Sequence, residues 1–146
     1  MAVFRLVESC PPLDMNSSYC NLLQCSHFAD TSGAAEIDGD IVGFISGYVI
    51  PGSPGTLFVW QVAVAEQARG LGLASRMLAH ILARPQCVDV DYLETSITRH
   101  NQASWALFKS LAKKQSTDLQ SSVWLDSETH FAGQHDSEAL VRIGPF

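Results

Sequence analysis

The stretch from Thr56 to Ala74 constrains this chain more than any other. Thr56-Leu-Phe-Val-Trp-Gln-Val-Ala-Val64 is β-branched or aromatic along most of its length and carries no charge. A strand that apolar has no face to offer water, so the run predicts a central strand covered on both sides. A turn-rich link, Ala65 to Gly72, follows. Leu73, Met77, Leu78, Ile81 and Leu82 then recur at helical spacing until Pro85 ends the run. A helix that starts directly after a buried strand presents its first amides without intrahelical partners. With the helix dipole they make an anion site. Gly70 and Gly72 remove side chains where a phosphate would have to approach the backbone, and Arg69 adds positive charge. The turn therefore suits a pyrophosphate.

The rest of the chain predicts a mixed sheet around that strand. Residues 4–10 read as the end of a helix stopped by Pro11-Pro12, and a short helix is expected from near Asn16. Ala34–Ile37 and Ile41–Val49 flank Asp38-Gly39-Asp40 as a hairpin. Val90 to Thr98 reads as a strand, and Asn101 opens a helix with Trp105, Phe108 and Leu111 on one stripe. Strand pieces are expected at Val123–Leu125 and Ala139–Ile143. The fold class is α/β with a mixed sheet (α+β), in one domain over residues 1–146.

Charge and composition exclude several functions. The net charge is −6 and no basic cluster exceeds Lys113-Lys114, so neither nucleic acid nor an anionic membrane is an expected partner. No run approaches the roughly 20 apolar residues that span a bilayer. The opening MAVFRLVESC has no long apolar run behind a basic start, so it does not read as a secretory leader. Cys10, Cys20, Cys25 and Cys87 lack CxxC spacing and are expected as reduced thiols, which points to the cytoplasm. His130 and His135, close to Asp136 and Glu138, do not have the spacing of a helical metal site, so no metal is expected and polar contacts are the better reading.

The spacing of the glycine turn narrows the phosphate chemistry. It is neither GxxxxGK[ST] nor GxGxxG. The form Gln67-x-x-Gly70-x-Gly72 after a Val-Ala-Val strand end resembles motif A of the GNAT-type N-acetyltransferases. Asn101-Gln-Ala-Ser-Trp-Ala-Leu-Phe108 resembles their motif B. The resemblance implies that the turn binds the diphosphate of coenzyme A, that Val62 and Val64 pair with its pantetheine arm, and that Asn101 lies near that arm. It also makes Leu73 and Ala74 part of the cofactor site. Asn101 also suits a helix N-cap, and the two roles are compatible.

Phe28-Ala-Asp30-Thr-Ser, Val42-Gly-Phe-Ile-Ser-Gly-Tyr48, Thr56 to Val64, Tyr92-Leu-Glu94-Thr, His130-Phe-Ala-Gly-Gln-His135 and Arg142-Ile-Gly-Pro-Phe146 are similar, over nearly the whole chain, to the L-2,4-diaminobutyrate acetyltransferases of ectoine synthesis. That likeness implies acetyl transfer from acetyl-CoA to the N4 amine of the diamino acid by a cytoplasmic homodimer. It implies a substrate shell of Asp14, Tyr19, Trp60, His135 and Glu138. It also implies that the first strand of the family's sheet is missing ahead of Leu13. Motif B in many acetyltransferases carries a Tyr where this chain has Phe108, which has no proton to give a leaving thiolate.

An amine attacks a thioester only when neutral, and roughly one alkyl ammonium in a thousand is neutral at pH 7. A site for this chemistry needs carboxylates to bind the ammonium and accept its proton, and amide donors for the oxyanion. Glu138 is the leading catalytic carboxylate, Glu94 the runner-up, and the Val62 amide the expected oxyanion donor. Three residues also fit plainer roles: Asp14 as a helix cap, Trp60 as core and Glu138 as solvated surface. Two rivals to the leading function stay open, an acetyltransferase for another small amine and a coenzyme-binding module without turnover.

Overall fold

The structure is a computed structural model and describes all residues from Met1 to Phe146. Two helices come first, α1 (Ala2–Glu8) and α2 (Ser18–Ser26). Six strands follow: β1 (Gly33–Ile37), β2 (Asp40–Val49), β3 (Thr56–Val64), β4 (Tyr92–Thr98), β5 (Leu119–Leu125) and β6 (Glu138–Ile143). Helix α3 (Leu73–Leu82) joins β3 to β4, α4 (Gln102–Lys114) joins β4 to β5, and the short α5 (Ser127–Phe131) lies between β5 and β6. The strands form one sheet in the order β1-β2-β3-β4-β6-β5. Only β3 and β4 run parallel, as a βαβ crossover through α3 requires. The sheet has β1 at one edge and β5 at the other.

Local chemistry sets the element ends. Ser17, Asn101 and Asp126 cap α2, α4 and α5 by accepting from the amides of Cys20, Ser104 and Thr129 at 3.1, 3.2 and 2.8 Å. The expected α2 thus starts two residues after Asn16. The strand expected from Val90 starts at Tyr92, because the Asp91 and Tyr92 amides both donate to the Gly55 carbonyl in a turn. Strand β5 starts four residues before Val123, and α5 was not expected. Gln120-Ser-Ser122 gives β5 no apolar alternation to read, and its side chains stay largely exposed.

The core lies on both faces of β2 and β3. Leu78 and Ile81 of α3, with Phe108 and Leu111 of α4, pack on Leu57, Val59, Leu93 and Ile97. On the other side Leu6, Val7 and Cys10 meet Val42, Phe44 and Ala63. No helix is long and apolar enough to cross a membrane.

Two departures from a regular sheet create the functional site. First, the β3–β4 pairing runs only from Thr56–Val59 against Tyr92–Thr95. Thr95 Oγ1 donates to the Val59 carbonyl at 2.9 Å at the last paired position, and beyond it the strands part. Residues 61–64 of β3 then pair with β2 alone, and residues 96–98 of β4 with β6 alone. Second, Ser46 pairs with Gln61 while Gly47 pairs with Val59, so Trp60 is a bulge residue. The bulge breaks strict alternation and turns both Trp60 and Gln61 toward one cleft.

Candidate active site

The wedge between β3 and β4 opens into two clefts. The first, of about 360 Å³, is lined by Val62 and Val64 of β3, by Arg69, Gly70, Gly72, Leu73, Ala74 and Ser75, and by Asn101, Ser104 and Leu107 of the α4 end. Residues 10–13 close its other side. Gly72 caps α3 without a side chain, and the first intrahelical bond is Arg76 N to the Gly72 carbonyl at 3.1 Å. The Leu73, Ala74 and Ser75 amides therefore have no partner in the helix. Gly70 and Gly72 have φ of +76° and +71°, and a Cβ on either would meet no atom within 4 Å. Their conformation demands glycine, and the space beside them is open for a ligand. Arg69 Nε donates to the Val64 carbonyl at 3.0 Å, which holds the guanidinium beside this turn.

The β3 edge facing the wedge follows from the ladder. The Ala65 amide donates to the Val42 carbonyl at 2.8 Å and the Gln61 amide to Ser46 Oγ at 3.2 Å, both toward β2. Donor direction alternates along an antiparallel strand, so the Val62 and Val64 amides point the other way, into the wedge.

The second cleft, of about 400 Å³, shares Pro12, Leu13 and Asn101 with the first. Asp14, Trp60, His135 and Glu138 line it. Its aromatic wall is Tyr48, Phe58, Trp60 and Trp124, with Tyr48 5.4 Å from Phe58 and 6.2 Å edge-on to Trp60 between ring centroids. His135 Nε2 lies 2.8 Å from Asp14 Oδ2 and 3.9 Å from Glu138 Oε1, and its Nδ1 lies 2.7 Å from the Asp136 carbonyl. The Asp136 carbonyl and the Asp14 carboxylate raise the His135 pKa above its ordinary value, against some desolvation. Asp14, His135 and Glu138 are also the one group in the chain with metal-ligand spacing. A 2.8 Å imidazole–carboxylate bond already occupies it, and two carboxylates beside an aromatic wall equally suit an ammonium.

Three residues expected at the site, Glu94, Tyr19 and Gln67, stand elsewhere. Glu94 lies on the same face as Ser96 and Thr98 but outside the cleft lining, because Arg142, directly opposite on β6, takes its carboxylate in an ion pair. Arg142 in turn stacks 3.8 Å over the Tyr92 ring. Glu94→Gln should therefore lower the melting temperature but leave kcat/KM for an amine within about twofold; thermal melting and steady-state kinetics check both. Tyr19 is 69% exposed on the outer side of α2 and reaches neither cleft. Gln67, in the 3-10 turn Glu66–Ala68, is exposed. Phe108 is buried in the α3–α4 core, so its lack of a proton is a matter of packing rather than of a site position. His130 accepts from the Asp126 amide at 2.8 Å inside the α5 cap.

Sequence reasoning missed Tyr48, Phe58, Gln61 and Trp124. Phe58 lies in a run that reads as a buried strand, and only the pairing of β5 beside β6 brings Trp124 to the cleft, 5.9 Å from Phe58.

Comparison with known proteins agrees with this geometry. The sequence profile of the acetyltransferase (GNAT) family matches residues 2–112. An L-2,4-diaminobutyric acid acetyltransferase of Methylotuvimicrobium alcaliphilum is 60% identical over 99% of this chain and 84% of its own length. One of Vibrio parahaemolyticus is 53% identical over 97% and 78%. The solved structure of diaminobutyrate acetyltransferase EctA from Paenibacillus lautus, in complex with its substrate L-2,4-diaminobutyric acid and coenzyme A, superposes with a TM-score of 0.94. It is 41% identical over 99% of this chain and 87% of that one.

Proposed function

The chain belongs to the acetyltransferase (GNAT) family, and from that premise we propose that it moves the acetyl group of acetyl-CoA to the N4 amine of L-2,4-diaminobutyrate. One observation carries the reading: a cleft headed by a bare helix start and a cleft holding two carboxylates share Pro12, Leu13 and Asn101 as a common wall. A diphosphate in the first and a diamine in the second would bring a thioester and an amine together. Relatives at 60% and 53% identity named for this activity support the choice of amine.

The roles follow from charge and direction. The free α3 amides and Arg69 hold the diphosphate, and the β3 edge at Val62 and Val64 holds the pantetheine arm as an added strand. Asn101 keeps its cap bond to the Ser104 amide, and its Nδ2 stays available at the shared wall. Asp14 and Glu138 bind the ammonium groups and Trp60 offers a ring face. The ammonium first loses one proton to solvent; the neutral amine nitrogen then forms a bond to the thioester carbonyl carbon, and the Val62 amide donates to the oxygen as it gains charge. The nitrogen becomes acidic as that bond forms, and Glu138 takes its proton. The carbon–sulfur bond then breaks, and a thiol with a pKa near 8.5 leaves as thiolate without an acid from the protein.

His135 sets a pH dependence. Its proton is held between Asp14 and Glu138, where a substrate ammonium has to compete with it. Diamine kcat/KM is expected to rise with pH through the His135 pKa, which the Asp136 carbonyl and the Asp14 carboxylate raise above its ordinary value. Folding shows the opposite trend. A histidine with a raised folded pKa stabilises the fold fully below its unfolded pKa, and that contribution fades as pH rises through the folded value. A pH profile of kcat/KM and melting curves across the same range check both.

Mass spectrometry of L-2,4-diaminobutyrate incubated with the chain and acetyl-CoA tests the function directly. One added acetyl group on N4, located by NMR, is the expected product. Coenzyme binding without product would favour a non-catalytic module, and turnover of other diamines alone would favour a different amine. We also propose that the protein is a cytoplasmic homodimer; sedimentation checks the dimer.

A further inference from the structure

Gln61 stands out in β3 as an amide side chain in a strand otherwise built of apolar residues and one threonine. It is only 8% exposed. Burying an amide is costly unless it is hydrogen-bonded, and this one is bonded at both ends. Its Nε2 donates to the Asp14 backbone carbonyl at 2.8 Å, and its Oε1 accepts from Asn16 Nδ2 at 3.0 Å. The backbone is fixed as well, because the Gln61 amide donates to Oγ of the fully buried Ser46. Strict alternation would turn this side chain away from Trp60; the bulge at Trp60 brings both to the substrate cleft.

The segment it grips has little else to hold it. Residues 11–16 form no helix or strand between α1 and α2. Their backbone amides make one hydrogen bond, Leu13 N to the Cys10 carbonyl, which is local. The two bonds from Gln61 are the hydrogen bonds that tie residues 14–16 to the sheet. They reach the Asp14 carbonyl and leave its carboxylate free for His135.

We propose that Gln61 is a positioning residue for the amine substrate, clasping residues 14–16 to the bulge of β3 so that the Asp14 carboxylate is held in register with His135 and Glu138. This rests on the acetyltransferase reading, since it assigns Gln61 a part in binding the diamine. Gln61 acts through Asp14 and need not touch the reacting atoms.

Gln61→Leu, Asn16→Ala and Asp14→Asn, singly and with Gln61→Leu combined with Asp14→Asn, separate this from a merely structural role. Gln61→Leu is expected to raise KM for diaminobutyrate about tenfold while kcat and the KM for acetyl-CoA move less than about twofold. In the Asp14→Asn background it should add less than about twofold, because the group it positions has already lost its charge. Asn16→Ala removes the clasp from the other side and gives the same pattern, smaller, should Gln61→Leu fold poorly. Unchanged KM in both variants, or an equal loss with and without Asp14→Asn, would overturn the clasp. An active native chain with unaltered variants refutes the clasp alone. A native chain that never acetylates the diamine refutes the acetyltransferase reading and removes the clasp with it.

Discussion

Gly72→Val is expected to weaken coenzyme A binding by about a hundredfold or more, near 3 kcal/mol, while the sheet remains folded. Two effects act together. Gly72 sits at φ +71°, where a β-branched residue is strongly disfavoured. The residue is also the N-cap of α3, so a shift there re-aims the free amides of Leu73, Ala74 and Ser75. Nothing in the protein lies within 4 Å of a Cβ at this position, so the added side chain would fill space in the cleft rather than clash with the core. The loss should therefore appear in calorimetric titration with coenzyme A, with little change in far-ultraviolet circular dichroism. Gly72→Ala, less strained and smaller, should lose less. Native affinity in the valine variant would remove the α3 turn from the coenzyme site.

The second large effect is expected from the carboxylates of the second cleft. Glu138→Gln and Asp14→Asn should each lower kcat/KM for diaminobutyrate about tenfold or more, with acetyl-CoA binding intact. Each keeps the shape and removes a charge that would hold an ammonium. The two should differ in kind. Glu138 stands at the first position of β6, opposite Thr98 of β4, where a rigid strand holds it. As proton acceptor it should lose kcat as well as affinity. Asp14, on the irregular segment before α2, should lose affinity mainly. The Asp136 carbonyl raises the His135 pKa most, and Asp14→Asn removes the next contributor, so the rise of kcat/KM with pH should move to lower pH. Native kinetics in both variants would take them out of the site.

Most of the architecture was legible along the chain because its causes are local. The apolar run from Thr56, the glycine turn and the α3 stripe each follow from neighbours within a few residues, and β3 and α3 stand where that reading put them. Asn101 likewise caps α4 with its own side chain. Legibility fell where cause lay at a distance. Gln120-Ser-Ser122 has no pattern of its own, and β5 forms because β6 offers it a partner. Glu94, the runner-up carboxylate, needs a partner in an apolar strand, and that partner is Arg142, which shares no local sequence with it and stands opposite on β6.

The pieces are written locally along the chain: a buried strand, a helix with an uncovered start, glycines free to take positive φ, and a pool of acidic and aromatic side chains. Tertiary structure alone decided which of them meet. Asp14 and His135 lie 121 positions apart and touch at 2.8 Å. Trp60 and Gln61 share a face only because one bulge breaks the two-residue period of β3. The physical reason is range. Backbone preference and hydrophobic period act over a turn or a few strand residues, whereas the wedge between β3 and β4 exists because the whole sheet must stop pairing there.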